Sequence, residues 1–254
     1  MRLIKTADEI KGIRKANQII AKIYADIIPT YLKPGITTKE IDRIIDEYIR
    51  KCGARPACIG VPGPYGAFPA ATCISVNEAV VHGVPNGRIL KEGDIVSLDI
   101  VTELDGYYGD SAKTFAIGNI DEESKKLLEI TEKSREIGIE QAIAGNRIGD
   151  IGHAVQQFVE KNGFSVVRDF AGHGVGLDLH EDPMVPNFGR KGRGLKIENG
   201  MVLAIEPMVN VGTYKVAMLE DGWTIVTKDG KRSAHFEHSV AIVDGKPLIL
   251  SQLD

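Results

Sequence analysis

Two similar segments of this sequence each end an apolar stretch on an acidic residue. Residues 90–99 (LKEGDIVSLD) and 196–206 (KIENGMVLAIE) both contain a glycine turn, and Asp99 and Glu206 each follow their glycine by six residues. An acid that closes a buried strand is unfavourable unless it is paired or bound to a cation. The two segments therefore predict a charged site on the axis between the halves of a duplicated chain.

A predicted β-hairpin adds a further carboxylate beside the first. Asp105-Gly106 between two alternating segments is a strong hairpin signal. If these two residues form the turn, Asp99 pairs with Ala112, and Asp110 becomes the diagonal neighbour of Asp99 on the same face. Two carboxylates this close require a cation or a shared proton. In the alternative, Asp99 and Asp110 both face solvent and form no site. This is disfavoured because residues 95–101 are apolar on both faces, as in a covered strand.

Histidines and two further acids can join this site. His173 lies in a glycine-lined segment, interpreted as a flexible loop that lets the ring approach an ion, and His180 follows it closely. Glu206 precedes a proline, and Glu237 lies inside a predicted strand. His82 lies just before the first repeated strand, where it could reach the site formed by these acids. Four carboxylates and one histidine make a mostly oxygen site, suited to a pair of Mn, Fe(II), Co or Zn ions rather than to a structural zinc.

The remaining histidines are interpreted mainly as structural. His153 lies on a predicted helix, and His238 should face away from Glu237 on their shared strand. His235 shares the face of Glu237, which makes it a candidate to support the site without binding the ion.

Apolar spacing and turn residues predict the elements that must position these side chains. A capping box at residues 37–40 opens the second helix, and glycines or prolines end most of the others. Helices are predicted over 7–31, 37–52, 121–144 and 149–162, and strands over 72–76, 94–102, 107–117, 165–168, 201–211, 223–227 and 233–243, with an irregular Pro/Gly-rich segment at 60–69.

A helix repeat supports the duplication independently of the strands. Residues 35–53 align without a gap to residues 145–163, with bounding glycines and matched apolar positions. Two unrelated amphipathic helices are the alternative, but the shared order of elements favours duplication. We therefore expect one domain over 1–254, with a pseudo-repeat of roughly 5–118 and 119–245, and an α+β class in which helices cover a mostly antiparallel sheet.

Composition points to an intracellular protein. The chain of 254 residues is 43% hydrophobic with a net charge of −4, which argues against a dedicated DNA binder. The three cysteines form no CxxC pair, the N-terminus has no apolar signal core, and no apolar run is long enough to span a bilayer. These features predict a cytoplasmic location without membrane association.

Taken in order along the chain, these motifs resemble the motif set of type I methionine aminopeptidases. The resemblance implies the pita-bread fold, with two pseudo-symmetric halves and helices covering a curved sheet. It rests on NEAVVHG (77–83), Asp99, Gly109-Asp110, GHGVG (172–176), HEDP (180–183), Ile205-Glu206-Pro207 and Phe236-Glu237-His238.

The resemblance also implies roles for individual residues. Asp99, Asp110, His173, Glu206 and Glu237 would bind two divalent metal ions, with Asp110 and Glu237 bridging them. Glu206 would also act as general base for the water or hydroxide that attacks the scissile carbonyl. His180 would stabilise the developing oxyanion, and His82 would contact the peptide nitrogen next to the cut. The methionine pocket would comprise Cys58, Cys73, Trp223 and an aromatic residue, either Phe68 or Tyr65.

The activity implied is metal-dependent removal of the initiator methionine from nascent polypeptides that carry a small second residue. A related X-Pro hydrolase is a second reading, disfavoured because such enzymes usually carry a further N-terminal domain. A binding protein that has lost its metals is a third, and retention of all five ligands and both cleft histidines argues against it. The basic segment 190–196 is either solvated surface or a transient contact to ribosomal RNA.

Overall fold

Each half of the chain begins with helices and continues with mostly antiparallel strands, an α+β arrangement that confirms the predicted class. The computed structural model describes residues 2–253. The helices are α1 (Ala7–Lys22), α2 (Ile28–Tyr31), α3 (Thr38–Lys51), α4 (Glu122–Gln141) and α5 (Ile148–Lys161). The strands of the first half are β1 (Arg55–Pro56), β2 (Pro62–Gly63), β3 (Gly66–Ala67), β4 (Thr72–Val76), β5 (Ala79–Val81), β6 (Ile95–Leu104) and β7 (Tyr107–Ala116). Those of the second half are β8 (Ser165–Val166), β9 (Gly172–Gly174), β10 (Glu181–Val185), β11 (Val202–Ile205), β12 (Met208–Asn210), β13 (Val216–Met218), β14 (Ile225–Thr227), β15 (Ser233–His235), β16 (His238–Val243) and β17 (Lys246–Ile249).

The first predicted helix is present, but it is not uniform. A π-helical turn over Ile23–Ile27 separates α1 from α2. Pro29 stands in the first turn of α2 and cannot donate a backbone hydrogen bond, which accounts for the irregular turn just before it. The second predicted helix begins as expected, because the Thr37 hydroxyl accepts the Glu40 N–H at 3.1 Å.

The long hairpin β6–β7 has the register predicted from its turn. Asp105 and Gly106 take φ of 54° and 81°, the left-handed values that a two-residue hairpin turn requires. Asp99 lies opposite Ala112, and Val101 lies opposite Asp110. Asp99 and Asp110 are therefore diagonal neighbours on one face, as predicted.

Two strands predicted to be continuous are each broken at an acidic residue. The predicted strand 201–211 divides into β11 and β12 at Glu206-Pro207, and 233–243 divides into β15 and β16 at Phe236-Glu237. Pro207 has no N–H to continue the ladder. At this break the chain passes from the five-stranded sheet β10-β9-β11-β16-β17 to the three-stranded sheet β15-β12-β8. Each break leaves one glutamate outside regular pairing.

The hairpin of the first half lies directly against the second of these breaks. The Glu237 N–H donates to the Ala112 carbonyl at 2.8 Å, and the Ser111 hydroxyl donates to the Glu237 carbonyl at 2.9 Å. The Ser239 hydroxyl donates to the Asp110 carbonyl at 2.8 Å. These bonds fix β7 against the second half of the chain, whereas the internal sequence repeat itself stays a prediction.

Helices cover the outer faces of the sheets. One apolar cluster joins α1 and α3 to β4 and β6, and another joins α4 and α5 to β8, β12 and β15. The Thr102 hydroxyl donates to the Ala16 carbonyl at 2.9 Å, and the Asn17 side chain accepts the Asp110 N–H at 3.2 Å. Helix α1 thus supports the segment that carries Asp110. Within residues 2–253, none of the helices has the length and apolar character needed to cross a membrane.

Gly109→Ala should test the close packing of β7 against α1. A Cβ at Gly109 would lie 2.5 Å from the Asn17 nitrogen and 2.7 Å from the Ala16 carbonyl carbon, and neither backbone atom can move freely. Overpacking of this kind destabilises by about 1–3 kcal/mol. We expect a fall in Tm of roughly 2–4 °C per kcal/mol, measured by calorimetry.

Gly87→Ala is the matched control, because a Cβ added at Gly87 would have no other atom within 4 Å. Equal melting temperatures for the Gly109 and Gly87 variants would contradict the packing argument.

Candidate metal centre and substrate cavity

A cavity of about 630 Å³ opens where the β6–β7 hairpin faces the two strand breaks. Of the residues predicted for the site, all but Tyr65 line it. These are Cys58, Phe68, Cys73, His82, Asp99, Asp110, His173, His180, Glu206, Trp223 and Glu237.

Three ligand candidates converge most closely. One donor atom each from Asp110, His173 and Glu237 lies within 4.8 Å of the others. The His173 Nε2 atom is 3.7 Å from Asp110 Oδ2 and 3.5 Å from Glu206 Oε1. Asp110 and Glu237 are only 4% and 2% exposed, so bulk water solvates the charge of neither carboxylate effectively.

The glycines around His173 serve close packing, so the prediction of a flexible loop was wrong. His173 lies on β9, paired on one side with β10 and on the other with β11. A Cβ at Gly172 would lie 2.2 Å from the Ala204 carbonyl oxygen, and one at Gly174 would lie 2.2 Å from the Asp182 carbonyl oxygen. Only glycine allows the flanking backbones to come this near, and the histidine is held firmly between them.

The backbone also orients the imidazole of His173. Its Nδ1 atom lies 2.9 Å from the Gly174 carbonyl oxygen, which can only accept a hydrogen bond. The proton must therefore sit on Nδ1, which leaves the Nε2 lone pair directed at the carboxylates. In this tautomer Nε2 is free to bind a metal ion.

Burial makes the carboxylates poor acids in the absence of a cation. Desolvation raises the pKa of Asp99 to about 6 and that of Glu206 to about 7. Desolvation, with repulsion from Asp99 as the next cause, holds the pKa of Asp110 well above its usual range. Desolvation followed by repulsion from Asp110 does the same for the pKa of Glu237.

These residues fit a divalent cation. The Glu237 Oε1 atom is buried and has no hydrogen-bond partner among the described residues. Oxygen donors with one imidazole nitrogen suit Mn, Fe, Co or Zn. A cation would offset the repulsion among the acids and complete the coordination of the unpaired oxygen.

His82 and His180 lie at the same cavity but outside the carboxylate cluster. His82 has a φ of 57°, which is unusual for a non-glycine residue, and packs edge-on against Phe170 with ring centroids 5.5 Å apart. Desolvation lowers its pKa to about 4, so the ring is neutral near pH 7. The His180 ring centroid is 4.4 Å from that of His173.

An apolar pocket adjoins the cluster in the same cavity. Phe68 packs edge-on against Trp223 at 5.1 Å between ring centroids, and both join the buried cysteines Cys58 and Cys73. Tyr65 is 78% exposed and does not line the cavity, so of the two aromatic candidates only Phe68 is placed in this wall. The difference arises because Tyr65 lies at the exposed turn between β2 and β3.

Three contributors were missed or left unassigned by sequence reasoning. Leu179 packs into the apolar pocket, and its position directly before His180 was the available signal. Phe170 packs against His82. His235, considered only as a supporting residue, places Nε2 3.3 Å from Glu206 Oε2 and is 2% exposed. His238 points away, with Nδ1 2.7 Å from the Ser251 hydroxyl.

Comparison with known proteins defines the class to which this fold and site belong. Residues 11–244 match metallopeptidase family M24, and the chain belongs to that family. Within it, the predicted resemblance to type I methionine aminopeptidases is confirmed. A methionine aminopeptidase of Clostridium perfringens is 54% identical, over 99% of both chains, and methionine aminopeptidase 1 of Bacillus subtilis is 49% identical, over 96% of both.

Solved structures support the pita-bread fold. A methionine aminopeptidase from Thermotoga maritima superposes with a TM-score of 0.94 at 43% identity, covering 100% of both chains. A prolidase from Pyrococcus furiosus superposes at 0.79 with 22% identity, and this chain covers 66% of it. At this identity, the likeness between the prolidase and this chain shows a common fold and nothing about function.

Metal binding should release protons, and more of them at low pH. At pH 6 the carboxyls of Asp99 and Glu206, with pKa values of about 6 and 7, are still partly protonated, and a cation must displace those protons. Affinity for Mn²⁺ should therefore rise from pH 6 to pH 8. Calorimetric titrations in two buffers of different ionisation enthalpy measure the protons released, and no release at pH 6 would contradict the raised pKa values.

Proposed function

We propose that this protein is a metal-dependent aminopeptidase that removes N-terminal methionine from polypeptides. The observation that carries the proposal is one cavity in which an apolar pocket adjoins a cluster of carboxylates and histidines. The pocket suits an unbranched apolar side chain, and the cluster suits hydrolysis of the bond next to it. Relatives that match the chain over nearly its full length carry the name methionine aminopeptidase.

The pocket would set the position of the scissile bond. Leu179, Phe68 and Trp223 provide apolar walls for the methionine side chain, and Cys58 and Cys73 add polarizable sulfur. Burial of the side chain there fixes the peptide relative to His82 and His180. A preference for a small second residue is proposed from the resemblance to type I methionine aminopeptidases.

Two divalent ions would be held by Asp99, Asp110, His173, Glu206 and Glu237. Asp110 and Glu237, the two most buried acids of the set, would bridge the ions. Metal ions so held polarise a scissile carbonyl and lower the pKa of the attacking water. The choice among Co, Mn, Fe(II) and Zn would follow availability, because a mostly oxygen site accepts each of them.

Three side chains would accept a proton from, or donate hydrogen bonds to, the reacting groups. Glu206 would accept the proton of the attacking water, with its two carboxylate oxygens facing His173 and His235. His180 would donate to the oxyanion as the tetrahedral intermediate forms. The neutral ring of His82 would hydrogen-bond the peptide nitrogen next to the cut.

The substrates would be the N-termini of nascent polypeptides in the cytoplasm. The exposed segment 190–196 carries four basic residues, Arg190, Lys191, Arg193 and Lys196. Its backbone is tied to α5, because Asp150 accepts the Gly192 N–H at 2.7 Å. A transient contact of this segment with ribosomal RNA would bring the enzyme to emerging chains.

Peptide hydrolysis discriminates this function from X-Pro cleavage. With added Co²⁺ or Mn²⁺, the protein should release methionine from Met-Ala-Ser and leave Leu-Ala-Ser and Ala-Pro largely intact, because the pocket and cleft select the first residue. The measurement is amino-acid release followed by chromatography, with chelated enzyme as control. Failure to release methionine under any metal condition would overturn the proposal.

Two substitutions separate metal binding from oxyanion stabilisation. Asp110→Asn removes a buried charge from the centre of the cluster and should abolish both metal occupancy and turnover. His180→Ala should keep the metal content and lower kcat by about 10²–10³-fold, the scale for loss of one oxyanion donor. Metal analysis and steady-state kinetics on both variants check this, and metal loss in the His180 variant would mean that its role is misassigned.

A further inference from the structure

A buried ion pair links the N-terminal segment to the turn that carries His180. The Lys5 ammonium donates to Glu181 Oε2, and both side chains are only 1% exposed. The ammonium also donates to the Arg2 carbonyl at 3.1 Å. The Lys5 backbone N–H donates to the Gly200 carbonyl at 2.8 Å, which fixes the lysine from a second direction.

The second oxygen of Glu181 organises the turn itself. Glu181 Oε1 accepts the backbone N–H of Leu177 at 2.7 Å and that of Asp178 at 3.0 Å. A carboxylate that accepts two backbone donors closes the five-residue segment 177–181 on itself. Without Lys5, this carboxylate would carry an uncompensated buried charge.

That closed segment presents two side chains to the cavity. Leu179 packs into the apolar pocket, and His180 lies beside His173. Both residues lie between the two backbone donors and the glutamate that binds them. The position of the turn therefore sets where the side chains of Leu179 and His180 lie in the cavity.

We propose that Lys5 and Glu181 are positioning residues for hydrolysis: the ion pair holds the 177–181 turn so that Leu179 and His180 are placed for catalysis. This inference rests on the aminopeptidase activity proposed above. Neither side chain touches the reacting atoms in this assignment. Each acts through the turn.

Three variants separate positioning from general stability. Lys5→Met alone leaves the buried carboxylate unpaired and should destabilise the fold. Lys5→Met/Glu181→Met removes both charges at similar volume, which often leaves stability near that of the parent, but it also removes the acceptor of the two turn N–H groups. Lys5→Met/Glu181→Gln removes both charges and retains an amide oxygen in that place.

We expect kcat/KM on Met-Ala-Ser to fall by about 10- to 100-fold in Lys5→Met/Glu181→Met, because small misplacements of catalytic groups have effects of this size. Its Tm and metal stoichiometry should stay near those of the parent. Lys5→Met/Glu181→Gln should recover a large part of the loss. Lys11→Met is the control, because the Lys11–Asp8 pair lies on the exposed face of the same N-terminal region.

A double-mutant cycle tests whether the pair acts through His180. In a His180→Ala background, Lys5→Met/Glu181→Met should lower kcat much less than it does in the parent, because coupled residues are not additive. Full additivity, or a folded Lys5→Met/Glu181→Met variant with parental kcat/KM, would overturn this inference. An inactive parent would instead overturn the proposed function, so the two failures are distinct.

Discussion

Repulsion among four carboxylates held close together at a buried site is the central constraint on this structure. Burial disfavours their charged forms, and repulsion from neighbouring acids further raises the pKa of Asp110 and that of Glu237. The backbone nevertheless holds them together. The Ser111 and Ser239 hydroxyls donate across this contact, and the Glu237 N–H donates to the Ala112 carbonyl, which fixes the hairpin against the Glu237 break. A divalent cation held by these residues would offset their repulsion and favour the charged forms of the acids.

The sequence predicts the parts of this arrangement that follow local rules. The hairpin register follows from its turn, because two left-handed residues fix which strand positions face each other. The order of the motifs identifies the family and with it the ligand candidates. The prediction that Glu206 closes its strand is confirmed by the end of β11 at Ile205, although the predicted strand ran on to residue 211. The break at Phe236-Glu237 was missed, because the predicted strand continues through it. The ion pair of Lys5 with Glu181 was also missed, since it joins residues far apart in the chain and carries no local pattern.

The fold and the specificity are separable properties of this molecule. A prolidase with 22% identity has the same fold, so the sheets and helices alone do not select methionine. In the proposed function, selection would depend on the short apolar wall formed by Phe68, Leu179 and Trp223. These side chains come from loops and turns at the cavity edge, where substitutions change substrate preference and leave the ligand positions in place.

The placement of Glu237 after the second strand break has a consequence for biosynthesis. The ligand candidates extend from Asp99 to Glu237, and residues 237–239 supply three of the hydrogen bonds that fix the hairpin beside them. No N-terminal fragment that ends before residue 237 contains the full set. During translation, the set of ligand candidates is therefore complete only once residue 237 has been added, so Asp99 and Asp110 are made well before their partners in the second half.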